Sequence, residues 1–237
     1  MDINKFKTRF EGAAWANPSN LIPISIGGLG SIGSWTSLFL ARTQIFELFL
    51  IDFDEVDEEN IAGQFFAPSQ KDDVKTKALK ENISIFCGKD DNIYTSISDI
   101  SLIKSVSYVC VSAFDNMEAR KVMFKKWKDL VFDEKFTSRE ISPIFIDGRL
   151  NAEKIQVFFV LPEGAVRYEE TLLNDSEIPD DVCSYKYTTH FSSMIASRIT
   201  QGLLNHITNC LVKDSIYEVP YMVEEEGPLF ITEIKTY

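Results

Sequence analysis

Four short apolar runs rich in β-branched residues, Leu21–Ile26, Leu48–Phe53, Val106–Ser112 and Ile144–Ile146, recur along the chain with glycine or acidic residues beside them. Runs of this length with little polar alternation suit parallel strands buried on both faces. Between them the period changes. Ile32–Arg42 keeps its apolar residues on one helical face, Lys75–Phe86 does so more weakly, and Asn116–Trp127 mixes Met, Phe and Trp with lysines. Parallel neighbours need crossover connections, so the order strand, helix, strand, helix predicts a doubly wound α/β sheet.

After Asp147 the pattern alters. The stretch AEKIQVFFVLP predicts one longer, partly alternating strand added antiparallel to the sheet. Residues 162–184 are polar, acidic and proline-bounded, and are expected to form a long crossing loop; loops of that length in compact domains are usually functional or mobile. A helix is expected over Ser192–Asn209, apolar at Met194, Ile195, Ile199, Leu203, Leu204 and Ile207, and the tail beyond it offers one or two edge strands.

The composition narrows the function classes. A chain of 237 residues, 45% of them hydrophobic, can bury a sizeable core, and one domain over 1–237 with a short N-terminal helical arm at about 1–18 is expected. No apolar run approaches the roughly 20 residues needed to cross a bilayer. The opening MDINKFKTRFEGAAW carries charges where a secretion signal needs an apolar core, so a cytoplasmic protein without membrane contact is expected. A net charge of −12 repels a phosphate backbone, which argues against nucleic acid and for a protein or small-molecule partner. Cys87, Cys110, Cys183 and Cys210 are widely spaced and form no CxxC pair, and with only His190 and His206 beside them a structural zinc site has little to draw on.

The chemistry-bearing stretch is ISIGGLGSIGSWTSLFLAR, which ends at Arg42 and passes from strand pattern to helix pattern through Gly28, Gly30 and Gly33. This is G-x-G-x-x-G, in which the glycines allow a tight turn, close approach of backbone to phosphate, and close helix–strand packing. The amides of the helix N-terminus then face an anion. A glycine-rich turn with no ligand is the plainer reading. About twenty residues on, LIDFDEV ends its strand with Asp52 and Asp54, where a carboxylate can accept hydrogen bonds from ribose hydroxyls. These features suit a nicotinamide oxidoreductase and an ATP-binding enzyme equally, although no proton-transfer residue of a second domain is identifiable. Asp115 ends the apolar strand SYVCVSAFD at the carboxyl edge where open α/β sheets bind ligands, and is equally placed to cap the helical pattern that follows.

The order of GGLGSIGSW, IDFDEVDEENIAGQFF, DVKTKAL and VCVSAFDNMEAR resembles the ThiF/MoeB/HesA family of ubiquitin-activating-type adenylating enzymes. The resemblance covers roughly Arg9 to Arg149, and more faintly the helix after Cys183. It implies a Rossmann-like, mostly parallel doubly wound sheet with helices on both faces and antiparallel strands in the C-terminal half. It further implies ATP and magnesium as cofactors, a ubiquitin-like protein or peptide with a free C-terminal carboxylate as partner, and a homodimer. Carried over by position, Asp52 holds the ribose with Asp54 nearby, Asn60 lies near the phosphates, and Lys77, with Lys75 as its neighbouring candidate, neutralises them. Asp115 is the magnesium acid, Asn116 its companion, and Arg9 the arginine lent across the dimer.

Two departures accompany the likeness. The family's Arg-Gln pair is Gly63-Gln64 here, which removes a bidentate, permanent charge from the phosphates and implies, as an alternative, a reduced member that binds without turnover. Arg120 and Arg149 are the cations that would replace it if the fold turns them inward. The family's two zinc-binding CxxC pairs are also missing, and Cys183, the cysteine placed to take the activated acyl group, sits beside Asp180 and Asp181, which disfavour a thiolate.

Overall fold

The structure, a computed structural model, describes residues 10–88, 90–137, 139–151, 154–173 and 189–237, with the backbone alone for Asn60, Asn151, Thr189 and Pro228. In chain order it contains β1 (Ile22–Gly27), α1 (Ser31–Thr43), β2 (Phe46–Ile51), α2 (Lys75–Cys87), β3 (Ile93–Ser96), β4 (Val109–Ser112), α3 (Met117–Val131), β5 (Ile144–Asn151), β6 (Lys154–Val160), α4 (Ala165–Glu169), α5 (Thr189–Leu211), β7 (Met222–Glu226) and β8 (Ile231–Lys235).

The eight strands form one sheet in the order β3-β2-β1-β4-β5-β6-β7-β8. The first five run parallel and the last three antiparallel, as the sequence pattern leads one to expect. Strand order reverses between β1 and β4, so their carboxyl ends, Gly27 beside Ser112, border the crevice where sheets of this type receive ligands.

Alternation along the strands divides the core in two. Ile24 and Ile26 of β1, Val109 and Val111 of β4 and Ile144 and Ile146 of β5 pack with α1, α2 and α5 on one face. Cys110 and Phe145 point the other way and pack with Met123, Phe124 and Trp127 of α3 and Tyr168 of α4. Burial of both faces explains the unbroken apolar runs.

Several details depart from the expectations. β2 begins and ends two residues before the predicted run, which leaves Phe53 exposed and puts Asp52 just past the strand end. β3 has no counterpart in the apolar pattern. β5 continues through Asp147 to Asn151 and forms a hairpin with β6. The stretch expected as a loop from 162 opens with a 3-10 turn at Pro162–Gly164 and the short helix α4, whereas 174–188, and with them the remainder of that loop and Cys183, lie outside the described residues. In the described part of the N-terminal arm, 10–18, the only helix is a 3-10 turn at Ala14–Ala16. No described helix is long and apolar enough to cross a membrane.

Candidate functional site

The loop after β1 is built around two contacts that only glycine permits. Gly28 has φ +79°, and a Cβ there would lie 2.8 Å from the Ala113 backbone, so the loop leans on the end of β4. A Cβ on Gly33 would lie 1.9 Å from the Gly28 carbonyl oxygen, which seats the first turn of α1 directly on the loop. Gly30 differs. Its nearest neighbour would be Gln64 Nε2 at 4.0 Å, so this position faces open space. Gly30 is also the N-cap of α1 and provides no side-chain cap, which leaves the first helix amides open to an anion.

Asp52 is tied into this loop. Its Oδ2 accepts from the Leu29 amide at 2.6 Å and its Oδ1 from the Asp54 amide at 2.8 Å. Burial pushes the Asp52 carboxyl above the ordinary carboxylate range, and the two amide hydrogen bonds offset part of that rise. Asp54 reaches the start of α2, where Lys75 Nζ donates to its Oδ2 at 2.8 Å and the Lys75 amide to its carbonyl at 2.9 Å. The Lys75 side chain is buried in that ion pair. Lys77, two residues further into the same turn, is exposed. Lys80 donates to the Ile93 carbonyl at 2.8 Å and braces β3. For Asn60 only the backbone, in a 3-10 turn at Glu58–Asn60, is described.

On the other side of the crevice Asp115 is exposed at the end of β4, and Asn116 Nδ2 donates to its Oδ1 at 3.3 Å. The helix cap is Asn116 rather than Asp115: Asn116 Oδ1 accepts from the Ala119 amide at 2.8 Å, which leaves the Asp115 carboxylate outside the cap. Among the described residues no group of three or more His, Cys, Asp and Glu side chains could hold a metal. A hard divalent cation here would therefore rest on Asp115, phosphate oxygens and water, a sparse ligand set that is ordinary for magnesium.

Arg120 and Arg149 do turn inward. Both bind the fully buried carboxylate of Asp147, Arg120 through Nη1 to Oδ1 and Arg149 through Nε to Oδ2 at 2.6 Å. Arg120 also donates through Nη2 to the Phe114 carbonyl, and Tyr168 donates its hydroxyl to Asp147 Oδ2 at 2.9 Å. Burial by itself would raise Asp147, but the two guanidiniums, the Arg149 hydrogen bond and the tyrosine outweigh it and hold the carboxyl below its usual range. Two cations around one carboxylate leave one positive charge in excess beneath the Phe114–Asp115 turn.

Sequence reasoning passed over two of these groups. Gln64 places Nε2 beside Gly30, while its buried Oε1 has no hydrogen-bond partner. Its companion Gly63 accepts from the Trp35 indole at 3.1 Å, so the position where the resemblance leads one to expect an arginine is closed over α1. Asp147 was readable only as an acid interrupting an apolar strand, a signal that says nothing of its two arginines. Arg9 lies outside the described residues.

A glycine loop at the switch point of a doubly wound sheet, with an acid just past the next strand and another just past β4, is the architecture in which open α/β sheets receive nucleotide ligands. The chain matches the ThiF family model over residues 21–211, and it belongs to the ThiF family. It is similar to the ubiquitin-like modifier-activating enzyme 5 of Drosophila mojavensis, 32% identical over 114 residues that cover 41% of this chain and 28% of that protein. Among solved structures it is similar to Escherichia coli MccB with ATP, with a TM-score of 0.68, 13% identity, and coverage of 94% of this chain and 66% of that one. PaaA is a further neighbour, with a TM-score of 0.66 and 18% identity, covering 94% of this chain and 66% of that one. The chain thus spans under a third of the curated relative and about two thirds of these solved chains.

Proposed function

We propose that this protein adenylates the C-terminal carboxylate of a ubiquitin-like protein or peptide with ATP. The carboxylate oxygen attacks the α-phosphorus, the bond to the β-phosphate oxygen breaks, and pyrophosphate leaves as the acyl-adenylate forms. The observation that carries the reading is the open Gly30 position, flanked by uncapped α1 amides and by the Gln64 amide, in a chain of this family.

In this reading Gly28, Gly30 and Gly33 form the phosphate cradle, Asp52 receives the ribose with Asp54 behind it, and Asn60 lies beside the phosphates. Lys77 is the free cation of the α2 turn, because Lys75 is committed to Asp54 and acts through it. Asp115, with Asn116 beside it, would hold magnesium, which supplies charge neutralisation on the phosphates. Arg9 from a second subunit completes the set in a homodimer working in the cytoplasm. The relatives' names, and MccB, which has been solved with MccA, support this partner class.

A specific observation favours a second reading. With Gly63 in the arginine position and Arg120 and Arg149 both bound to Asp147, the chain serves as a module that binds nucleotide or a protein partner without turnover. Magnesium-dependent pyrophosphate exchange into ATP, in the presence of candidate partners, separates the two. Exchange that falls on the order of 10²-fold in Asp115→Asn is expected for the enzyme. Calorimetric ATP binding with no exchange for any partner sinks the enzymatic reading, and no ATP binding sinks both nucleotide-dependent ones.

A further inference from the structure

Asp147 reaches two parts of the molecule that are far apart in sequence. Through Oδ1 it holds Arg120, whose guanidinium also binds the carbonyls of Phe114 and, at 3.1 Å, Gly148. Through Oδ2 it holds Arg149, whose other two nitrogens bind Thr171 just beyond α4, Nη1 to the carbonyl at 3.2 Å and Nη2 to Oγ1 at 3.1 Å. Tyr168 donates to the same Oδ2, and the Arg149 guanidinium lies over the rings of Phe158 at 4.4 Å and Tyr168 at 5.5 Å. Its two oxygens thus accept three side-chain donors, and the carboxylate is fully buried.

Such a cluster is a poor source of net stability, because removing three charged groups and a hydroxyl from water offsets most of what their attraction returns. It is, however, a stiff connector: each guanidinium has a fixed fork, and Arg149 is additionally stacked. One end of it is the Phe114 carbonyl, immediately before Asp115. The same turn supports the glycine loop, since Gly28 abuts the Ala113 backbone and the Ala113 amide donates to the Gly27 carbonyl at 2.8 Å.

We propose that Asp147 is a positioning residue that clamps the Asp115 turn, through Arg120, to the Tyr168–Thr171 segment, through Arg149, so that the two are ordered as one unit. The clamp itself is a property of the folded chain. Its consequence for magnesium rests on the adenylation reading, in which the carboxylate of Asp115 must stand at a set place beside the phosphates.

Hydrogen exchange on the free full-length protein tests the clamp without any ligand. In Asp147→Asn, amides of residues 113–119 and 166–173 are expected to exchange at least tenfold faster while those of β2 keep their wild-type rates. Because that variant removes a buried charge and can fail to fold, Arg149→Lys and Thr171→Val carry the decisive arm. Both leave Asp147 and Arg120 intact, yet the exchange of residues 113–119, across the clamp, is expected to rise with that of 166–173. Faster exchange confined to 166–173, or the same acceleration in every element, overturns the proposal.

A second readout follows ATP affinity with and without magnesium by calorimetry. Arg149→Lys is expected to lose at least fivefold of the magnesium-dependent gain at unchanged magnesium-free affinity. An equal gain in wild type and variant overturns the positioning role. A wild-type protein that binds no ATP speaks against the adenylation reading alone, and the exchange pattern then decides the clamp.

Discussion

A single methyl group distinguishes the two kinds of glycine in the loop. Gly33→Ala drives a Cβ to within 1.9 Å of the Gly28 carbonyl, so it is expected to destabilise the fold by about 1–3 kcal/mol or more, as overpacking does. Gly30→Ala meets only the end of the Gln64 side chain at 4.0 Å and is expected to keep the wild-type urea midpoint. It nevertheless fills the proposed phosphate approach, so an ATP affinity unchanged by Gly30→Ala in calorimetry would remove Gly30 from the site. A different residue-scale prediction concerns Cys210. Burial would raise this thiol, but hydrogen bonds from His206 and Ser142 outweigh it and bring it to about 7, whereas burial pushes Cys87 and Cys110 up. Iodoacetamide followed by mass spectrometry should label Cys210 ahead of Cys87 and Cys110, with a rate rising through pH 7, and leave Cys110 unlabelled in the folded protein. Labelling that rises only above pH 8.5 would contradict the hydrogen-bonded thiolate. The glycine spacing was legible in the sequence because a chain reversal at a strand end leaves few residue choices. The thiol was not, since Ser142 stands 68 residues from Cys210.

At the scale of elements, what was legible was whatever repeats with a period and ends with a local stop. Helix α3 illustrates this: its apolar residues Met123, Phe124 and Trp127 face one core, and the Asn116 side chain closes its first turn on the Ala119 amide. Asn116→Ala is expected to cost about 1 kcal/mol in urea unfolding through the lost cap. Because Asn116 also touches Asp115, a loss of magnesium-dependent ATP binding beyond that explained by stability would mark it as part of the site. Strand β3 escaped the pattern for a physical reason. It is a four-residue edge strand whose Tyr94 and Thr95 face solvent, so no apolar run announces it. The continuation of β5 from Asp147 to Asn151 escaped for another: Asp147 and Arg149 lie inside β5 as an ion pair, and charges inside a strand read as its end until a partner is seen.

At the scale of the whole molecule the Asp147 cluster links the turn before Asp115 to the segment that follows α4, and pH reports on it. The Asp147 carboxyl is held below its ordinary value of about 3.9, so its stabilising contribution is complete above that pH and is lost as pH falls through the folded value. The stability gap between wild type and Asp147→Asn, on the order of 3–5 kcal/mol near neutrality for a buried pair left unbalanced, should therefore narrow below about pH 4. Urea unfolding between pH 3 and 7 checks this; a gap independent of pH would assign the loss to packing instead of charge. By itself the sequence determined the parallel core, the glycine loop, the acids that end β2 and β4, and through their order the ThiF family. These are local matters of period, strand ends and spacing. Only the tertiary structure decided which cations are free for a phosphate. Lys75, Arg120 and Arg149 look equal to Lys77 along the chain, but each is bound to a carboxylate, Lys75 to Asp54 and both arginines to the one Asp147, and Coulomb attraction at hydrogen-bond distance follows proximity in space, which a linear pattern does not record.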